Sequence, residues 1–159
     1  MPATRPATLA DVALITAHRR AMFASMPNPD AAALNAMGRA FEPWLKERMA
    51  QGKYLGWIVE DESRIAASAG MLIVDWPPHP LHPEGHERAY LLNVFVEPEF
   101  RRRGLANALV DQCMNEAARR GIHVVTLHSS DAGRPIYENL GFCATSEMMF
   151  VAKSPGCPP

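Results

Sequence analysis

The sequence predicts a mixed α/β (α+β) fold with helices flanking one central sheet. Three observations carry that expectation. Apolar side chains in the first fifty residues recur at helical spacing. After Gly52 the pattern changes to short apolar runs rich in β-branched and aromatic residues, separated by polar turns. From Ala89 onward a dense apolar run, a long amphipathic stretch and a second apolar run follow in order, as in two parallel strands joined by a crossover helix.

Taken along the chain, Thr8 and Asp11 make a capping-box pattern, with Asp in place of Glu or Gln. Val12, Ile15, Met22 and Phe23 then suit a first helix ending near Phe23. His18, Arg19 and Arg20 would lie at its C-terminal end, where cations suit the dipole. The run SMPNPD, residues 25–30, breaks it. A second helix is expected from Asp30, with Leu34, Met37 and Phe41 in step. Pro43 should kink or restart it before Trp44, Leu45 and Met49. Met22, Met26, Met37, Phe41 and Trp44 read as core.

YLGWIVE (54–60) and IAASAGMLIVDW (65–76) read as strands joined by the turn DESR. PPHPLHPEGHER (77–88) can only be a loop. AYLLNVFVE (89–97) is apolar enough to be a central strand. From Gly104 to Arg120, Leu105, Leu109 and Cys113 recur every four residues, and Ala106, Val110, Met114 and Ala117 widen the stripe of a helix that Gly121 stops. HVVTLHS (123–129) should be the next strand, GRPIYENLGF (133–142) a short helix ending at Gly141, and CATSEMMFVAK (143–153) a closing strand or hairpin. Residues 1–153 read as one domain and 154–159 as a flexible tail.

The chain has 159 residues, with 16 Lys and Arg against 17 Asp and Glu, for a net charge of −1. A protein built to hold nucleic acid is usually basic, so nucleic acid is not an expected partner. No apolar stretch approaches the roughly 20 residues needed to span a bilayer, so no membrane partner is expected. Cys113, Cys143 and Cys157 are odd in number and lack metal-ligand spacing. With no secretory leader in MPATRPATLADVALI, they read as reduced thiols of a cytoplasmic protein.

The chemistry concentrates at VFVEPEFRRRGLANALV, residues 94–110. A buried-looking strand ends at Val96, a turn holds Pro98 and Gly104, and a long helix follows. The unpaired N–H groups and partial positive charge of a helix start hold a phosphate well, and Gly104 lets the backbone come close. A solvated arginine run beside a helix start is the competing reading. Neither a Walker A loop nor a Rossmann fingerprint is present.

This segment resembles the acyl-CoA signature of the GNAT superfamily of N-acyltransferases, a strand followed by V-x-P-x-x-[RQ]-x-x-G-x-[GA] and a helix. Val96, Pro98, Arg101, Gly104 and Ala106 match it. SSDAGRPIYENLGF resembles the family's late motif through Tyr137, Gly141 and Phe142. The resemblance covers residues 90–142. It implies a GNAT fold, with a mixed sheet of about six to seven strands, flanking helices and two central parallel strands that splay apart.

It further implies acetyl-CoA as cosubstrate, bound between the strands Tyr90–Val96 and His123–Ser129. The diphosphate would lie on the backbone of Arg101, Arg102, Arg103, Gly104, Leu105 and Ala106. The backbone of Val94, Phe95 and Val96 would pair with pantetheine, and the Val94 N–H would hold the thioester carbonyl. Tyr137 would protonate the leaving thiolate, since a phenol with pKa near ~10 remains protonated at neutral pH. The partner would be an amine on a small molecule or peptide, attacking directly, and a homodimer is compatible with this reading.

Where some family members carry a base, this chain has Asn93, which could orient water or substrate. Glu84, Glu87 and His128 are the other base candidates, although a structural role suits His128 better. The late motif departs from the family pattern at Ser130 and Gly133; Ser130 can still cap the short helix and contact the cofactor. His79, His82 and His86 share a loop, but Pro80 and Pro83 exclude helical spacing and nothing completes a ligand set. No metal is expected, and the loop reads as lining the acceptor cleft. In the family the first helix pair walls the acceptor pocket, so His18, Arg19 and Arg20 have a second reading, as groups facing an acidic substrate.

Overall fold

The computed structural model describes residues 1–149. They fall into two compact units, Met1–His128 and the residues from Ser129 onward.

The first unit contains β1 (Ala3–Pro6), a 3-10 turn (Leu9–Asp11), α1 (Val12–Ala24), α2 (Ala31–Ala50), β2 (Tyr54–Asp61), β3 (Arg64–Asp75) and β4 (Glu87–Val96). A second 3-10 turn (Pro98–Phe100), α3 (Leu105–Arg119) and β5 (Val125–Leu127) complete it. The sheet runs β1-β2-β3-β4-β5. Its first three pairings are antiparallel and β4 pairs β5 in parallel, as the crossover through α3 requires.

Both helix starts at the N-terminal end are fixed by side chains. The capping box is present: the Thr8 hydroxyl accepts from Ala10 N–H, and Asp11 accepts from Thr8 N–H at 2.7 Å. Asp30 caps α2 through the N–H groups of Ala32 and Ala33. Val12 and Ile15 of α1, Phe41 and Leu45 of α2, and Tyr54 and Ile58 of β2 form one buried cluster. Leu105, Leu109, Val110, Cys113 and Ala117 of α3 are buried, and that helix packs on β3 and β4. Each fully buried Leu or Val there contributes about 1.5–3 kcal/mol.

Four expectations are corrected. Pro43 does not restart α2, which runs unbroken to Ala50. Proline leaves the Arg39 carbonyl without its helical donor, but Phe41 and Leu45 stay anchored in the core on either side. Five strands, not six or seven, form the sheet among the described residues. They include β1, a short strand whose proline hid it; it is held by pairing from Ala3↔Glu60 to Pro6↔Trp57. β5 is only three residues long, because pairing with β4 is confined to Ala89↔Val125 through Leu91↔Leu127. Residues 143–149 form no strand; 150–153, the rest of that expected element, and the tail 154–159 lie outside the described residues.

In the second unit, α4 (Arg134–Asn139) follows a turn in which Gly133 N–H donates to Ser130 Oγ at 3.2 Å. The rings of Tyr137 and Phe142 meet edge to face at 5.8 Å, and Phe142 N–H donates to the Tyr137 carbonyl at 3.0 Å.

Candidate active site

Gly104 adopts a left-handed conformation, φ 76°, immediately before α3. No side chain caps this start, and the first backbone bond of the helix runs from Ala108 N–H to the Gly104 carbonyl. The N–H groups of Leu105, Ala106 and Asn107 therefore precede the helical ladder and point out of its end. A Cβ placed on Gly104 would meet nothing within 4 Å, so the space beside this glycine is open.

The arginines before it play different parts. Arg101 Nε donates to the Val96 carbonyl at 3.2 Å. Arg103 reaches Asp61 and the Glu99 carbonyl, both at 3.4 Å, and lies over the Phe100 ring. Arg102 is exposed, with φ 63°. Two of the three side chains thus brace the turn.

Pairing of β4 with β5 stops at Leu91↔Leu127, while β4 stays paired to β3 as far as Val96↔Ala67. From Leu92 to Val96 the outer edge of β4 faces no strand among the described residues, and Val94, Phe95 and Val96 all lie on that edge segment. Unpaired strand backbone of this kind can accept an extended, amide-bearing chain. The same segment holds a bulge. Ser68 pairs Phe95 and Gly70 pairs Leu92, so Asn93 and Val94 together stand opposite Ala69. Asn93 carries the positive φ, 56°, that the bulge demands.

The side chain of Asn93 turns inward and is 2% exposed. Its Nδ2 donates to Tyr54 Oη at 3.0 Å, and its Oδ1 accepts from Arg19 Nη1 at 2.7 Å. Tyr54 reaches that position because Gly70 has no side chain: a Cβ there would lie 1.9 Å from the Tyr54 oxygen. Burial pushes the Tyr54 phenol well above its ordinary pKa, so it stays protonated. Both ends of the Asn93 amide are thus engaged, and it influences the site through Arg19.

His18, Arg19 and Arg20 do not end α1, which continues to Ala24, so they do not serve its C-terminal dipole. His18 is 3% exposed, with Nδ1 2.7 Å from Ser68 Oγ and its ring against Phe95. Its Nε2 is 3.3 Å from Glu97 Oε1, within ion-pair range but without hydrogen-bond geometry. Burial pulls the imidazole pKa below 6.5 and Glu97 only partly opposes this, so His18 is neutral at pH 7.

Among the remaining candidates, Glu87 pairs with Lys53 at 3.0 Å and Glu84 is exposed. His128 Nδ1 is hydrogen-bonded to Tyr90 Oη. His82 is buried, with Nδ1 3.3 Å from the Gly85 carbonyl and Nε2 3.2 Å from Arg88 Nε. His86 lies 3.9 Å from Asp75. Among the described residues no three His, Cys, Asp or Glu side chains are grouped to hold a metal, and no helix is long and apolar enough to cross a membrane. Sequence reasoning missed Tyr54 and Gly70; a glycine inside a strand pattern, a mark of close approach, was the available signal.

The model of the Acetyltransferase (GNAT) domain matches residues 31–157. The chain belongs to the GNAT acetyltransferase family. This GNAT chain is 38% identical to a GCN5-related N-acetyltransferase from Ralstonia eutropha JMP134, whose crystal structure superposes with a TM-score of 0.92 over 97% of this chain and 100% of that one. A predicted acetyltransferase from Clostridium acetobutylicum, crystallised with acetyl-CoA, is 28% identical, with a TM-score of 0.82 over 95% of this chain and 96% of that one. Among sequence relatives, the [ribosomal protein bS18]-alanine N-acetyltransferase of Escherichia coli K12 is 30% identical over 106 residues, 63% of this chain and 64% of that enzyme. The GNAT chain thus spans less than two thirds of that relative's length.

Proposed function

We propose that this protein moves an acetyl group from acetyl-CoA to a primary amine, with a small molecule as the favoured acceptor. The observation that carries the reading is the parting of β4 from β5 after Leu91, on a sheet whose next helix, α3, starts uncapped behind a left-handed Gly104. The residues present fit acetyl-CoA: donors for its diphosphate from Gly104 to Ala106, with Arg101, Arg102 and Arg103 around the turn, and the edge of β4 at Val94, Phe95 and Val96 for its amides. The solved relative that holds acetyl-CoA supports the same cosubstrate.

In the proposed reaction the neutral amine attacks the thioester carbonyl, whose oxygen accepts a hydrogen bond from the Val94 N–H; the C–N bond forms, the C–S bond breaks to release the CoA thiolate, and the proton lost by the amine passes to water. Tyr137 supplies the proton to the departing thiolate, and Ser130 belongs to the same motif. The Asn93 amide positions Arg19 and does not move a proton. The reaction needs no metal, and a cytoplasmic location suits its cosubstrate.

Thiol release from acetyl-CoA, followed with amines, amino acids and peptides, tests this. Turnover of at least one small amine is expected; acetyl-CoA binding without turnover of any acceptor would favour a non-catalytic sensor. Tyr137→Phe should lower kcat by about 10²-fold or more, and unchanged turnover across pH would refute its role. A second reading, acetylation of a protein N-terminus, is favoured by the similarity to the bS18-alanine enzyme; it predicts turnover of alanine-initiated peptides above that of any free amine.

A further inference from the structure

Among the described residues Arg19 is the arginine with a buried side-chain nitrogen that lacks a hydrogen-bond partner. Arg64, Arg103, Arg119 and Arg134 are exposed, and each reaches a carboxylate. Arg19 is half-buried, yet among the described residues no carboxylate lies within ion-pair distance of it. Its neighbours are neutral: Asn93 Oδ1 at 2.7 Å, and the rings of Phe23 and Phe41 at 4.9 and 4.8 Å from the guanidinium carbon. Its Nε is shut away from water with no hydrogen-bond partner.

A cation in such a setting is desolvated without a counter-charge. A merely structural side chain would not need the charge, since Phe23 and Phe41 would pack against an apolar residue at least as well. Burial lowers the Arg19 pKa, which is the electrostatic expression of the same imbalance, although a guanidinium remains charged at neutral pH. The bond to Asn93 fixes where the charge lies, because Asn93 immediately precedes Val94 in the bulge. Of the five guanidinium N–H donors, those on Nη2 and the second on Nη1 are not used by Asn93.

We propose that Arg19 receives a carboxylate carried by the acceptor amine, so that the acceptor is an amino acid or a related compound joining an amine to a carboxylate. This rests on the acetyltransferase reading and narrows its substrate class. A single guanidinium in a partly apolar frame matches one unit of negative charge and the two-oxygen geometry of a carboxylate. A phosphate, nearer to two charges, normally draws a second cation, and the neighbouring Arg20 is directed to Asn35. A peptide N-terminus lacks a carboxylate close to its amine, so the proposal also separates free amino acids from peptides.

The test compares kcat/KM for matched acceptors: an amino acid, its carboxamide, and the amine with a phosphate in place of the carboxylate. The intact protein should favour the acid over the amide by about tenfold or more. In Arg19→Met that ratio should collapse toward one, and Arg19→Lys, which keeps the charge without the planar fork, should retain part of it. Loss of packing alone would lower both substrates together and leave the ratio intact, which would overturn the proposal. So would an acid-to-amide ratio near one in the intact protein, or a preference for the phosphate or for peptides. If no amine is turned over, the activity reading fails on its own account, and calorimetry with CoA present decides the rest. Amino acid binding that is lost in Arg19→Met and partly kept in Arg19→Lys upholds the site, and binding that is absent or indifferent to residue 19 removes it.

Discussion

Arg19 Nη1 and Asn93 Oδ1, 2.7 Å apart, tie the middle of α1 to the bulge of β4, and the same amide reaches Tyr54 Oη on β2. One buried side chain therefore joins three elements at the point where β4 leaves its neighbour. Asn93→Ala would leave the Tyr54 hydroxyl and the Arg19 Nη1 each short of a partner and would put alanine at φ 56°. A loss of about 2–3 kcal/mol is expected, from lost hydrogen bonds and backbone strain together. Urea unfolding measures it, and a change below about 0.5 kcal/mol would show that the junction is dispensable.

Gly70 makes that junction sterically possible. A Cβ at residue 70 would lie 1.9 Å from Tyr54 Oη and 2.4 Å from Cζ, and Tyr54, at 2% exposure, has nowhere to move. Gly70→Ala should destabilise the fold by about 3 kcal/mol, the upper range for overpacking. Tyr54→Phe in the same background should not restore it, because the Cζ contact persists. Full rescue by phenylalanine would place the clash at the hydroxyl alone.

His18 gives stability a pH dependence. Its folded pKa lies below the 6.5 of the exposed group, with desolvation the larger cause and Glu97 opposing it. The unfolded chain therefore takes up a proton first as pH falls. Stability should decline from pH 6.5 downward until the folded imidazole also titrates, with a slope of at most about 1.4 kcal/mol per pH unit for one proton. In His18→Gln, unfolding measured between pH 7.5 and 5 should show that part of the slope removed. An unchanged slope would assign it to other groups.

Local signals were legible where the physics is local. The stripe Leu105, Leu109, Cys113 marked α3, and the Thr8 and Asp11 pair marked the start of the first helical segment. Gly104 marked the turn because the αL conformation has a sequence preference. What stayed hidden was relational. Asn93 and Val94 bulge only with respect to Ala69 on another strand, and a register shift leaves no periodic trace. β1 contains Pro6 and does not alternate; it exists because β2 offers an edge from Trp57 to Glu60. Arg19 looked like a helix-terminal cation although the expected end near Phe23 already lay a turn beyond it; its partner Asn93 sits on another element.

Asp11 should govern acid stability at the N-terminal end. Arg5 grips both its oxygens, at 2.8 and 2.9 Å, and Thr8 donates through N–H and hydroxyl, so its pKa falls to about 2 from 3.8. A depressed carboxylate stabilises above the unfolded pKa, and that contribution is lost as pH falls through the folded one. Arg5 is partly exposed, and solvent screening limits the pair, so Asp11→Asn should cost about 1 kcal/mol at pH 7. The gap from wild type should close between about pH 4 and pH 2. A gap independent of pH would assign the loss to capping geometry instead of charge.

Gly104 and Arg102 separate a backbone cradle from a basic patch. At φ 76° any side chain at 104 is strained by about 1–2 kcal/mol, a cost to folding that unfolding curves will read directly. The Cβ itself meets no protein atom, so a side chain there would enter the open space in which the proposed diphosphate would lie. Gly104→Val should therefore weaken CoA binding by about tenfold or more, beyond what its stability loss explains. Arg102 is exposed, and Arg102→Ala should weaken binding by only about twofold, an effect that fades at high salt because charges beyond a Debye length are screened. Calorimetry at two ionic strengths distinguishes the two. If Arg102→Ala proved the more damaging at both, the anion would be held by arginine side chains and the helix start would be incidental.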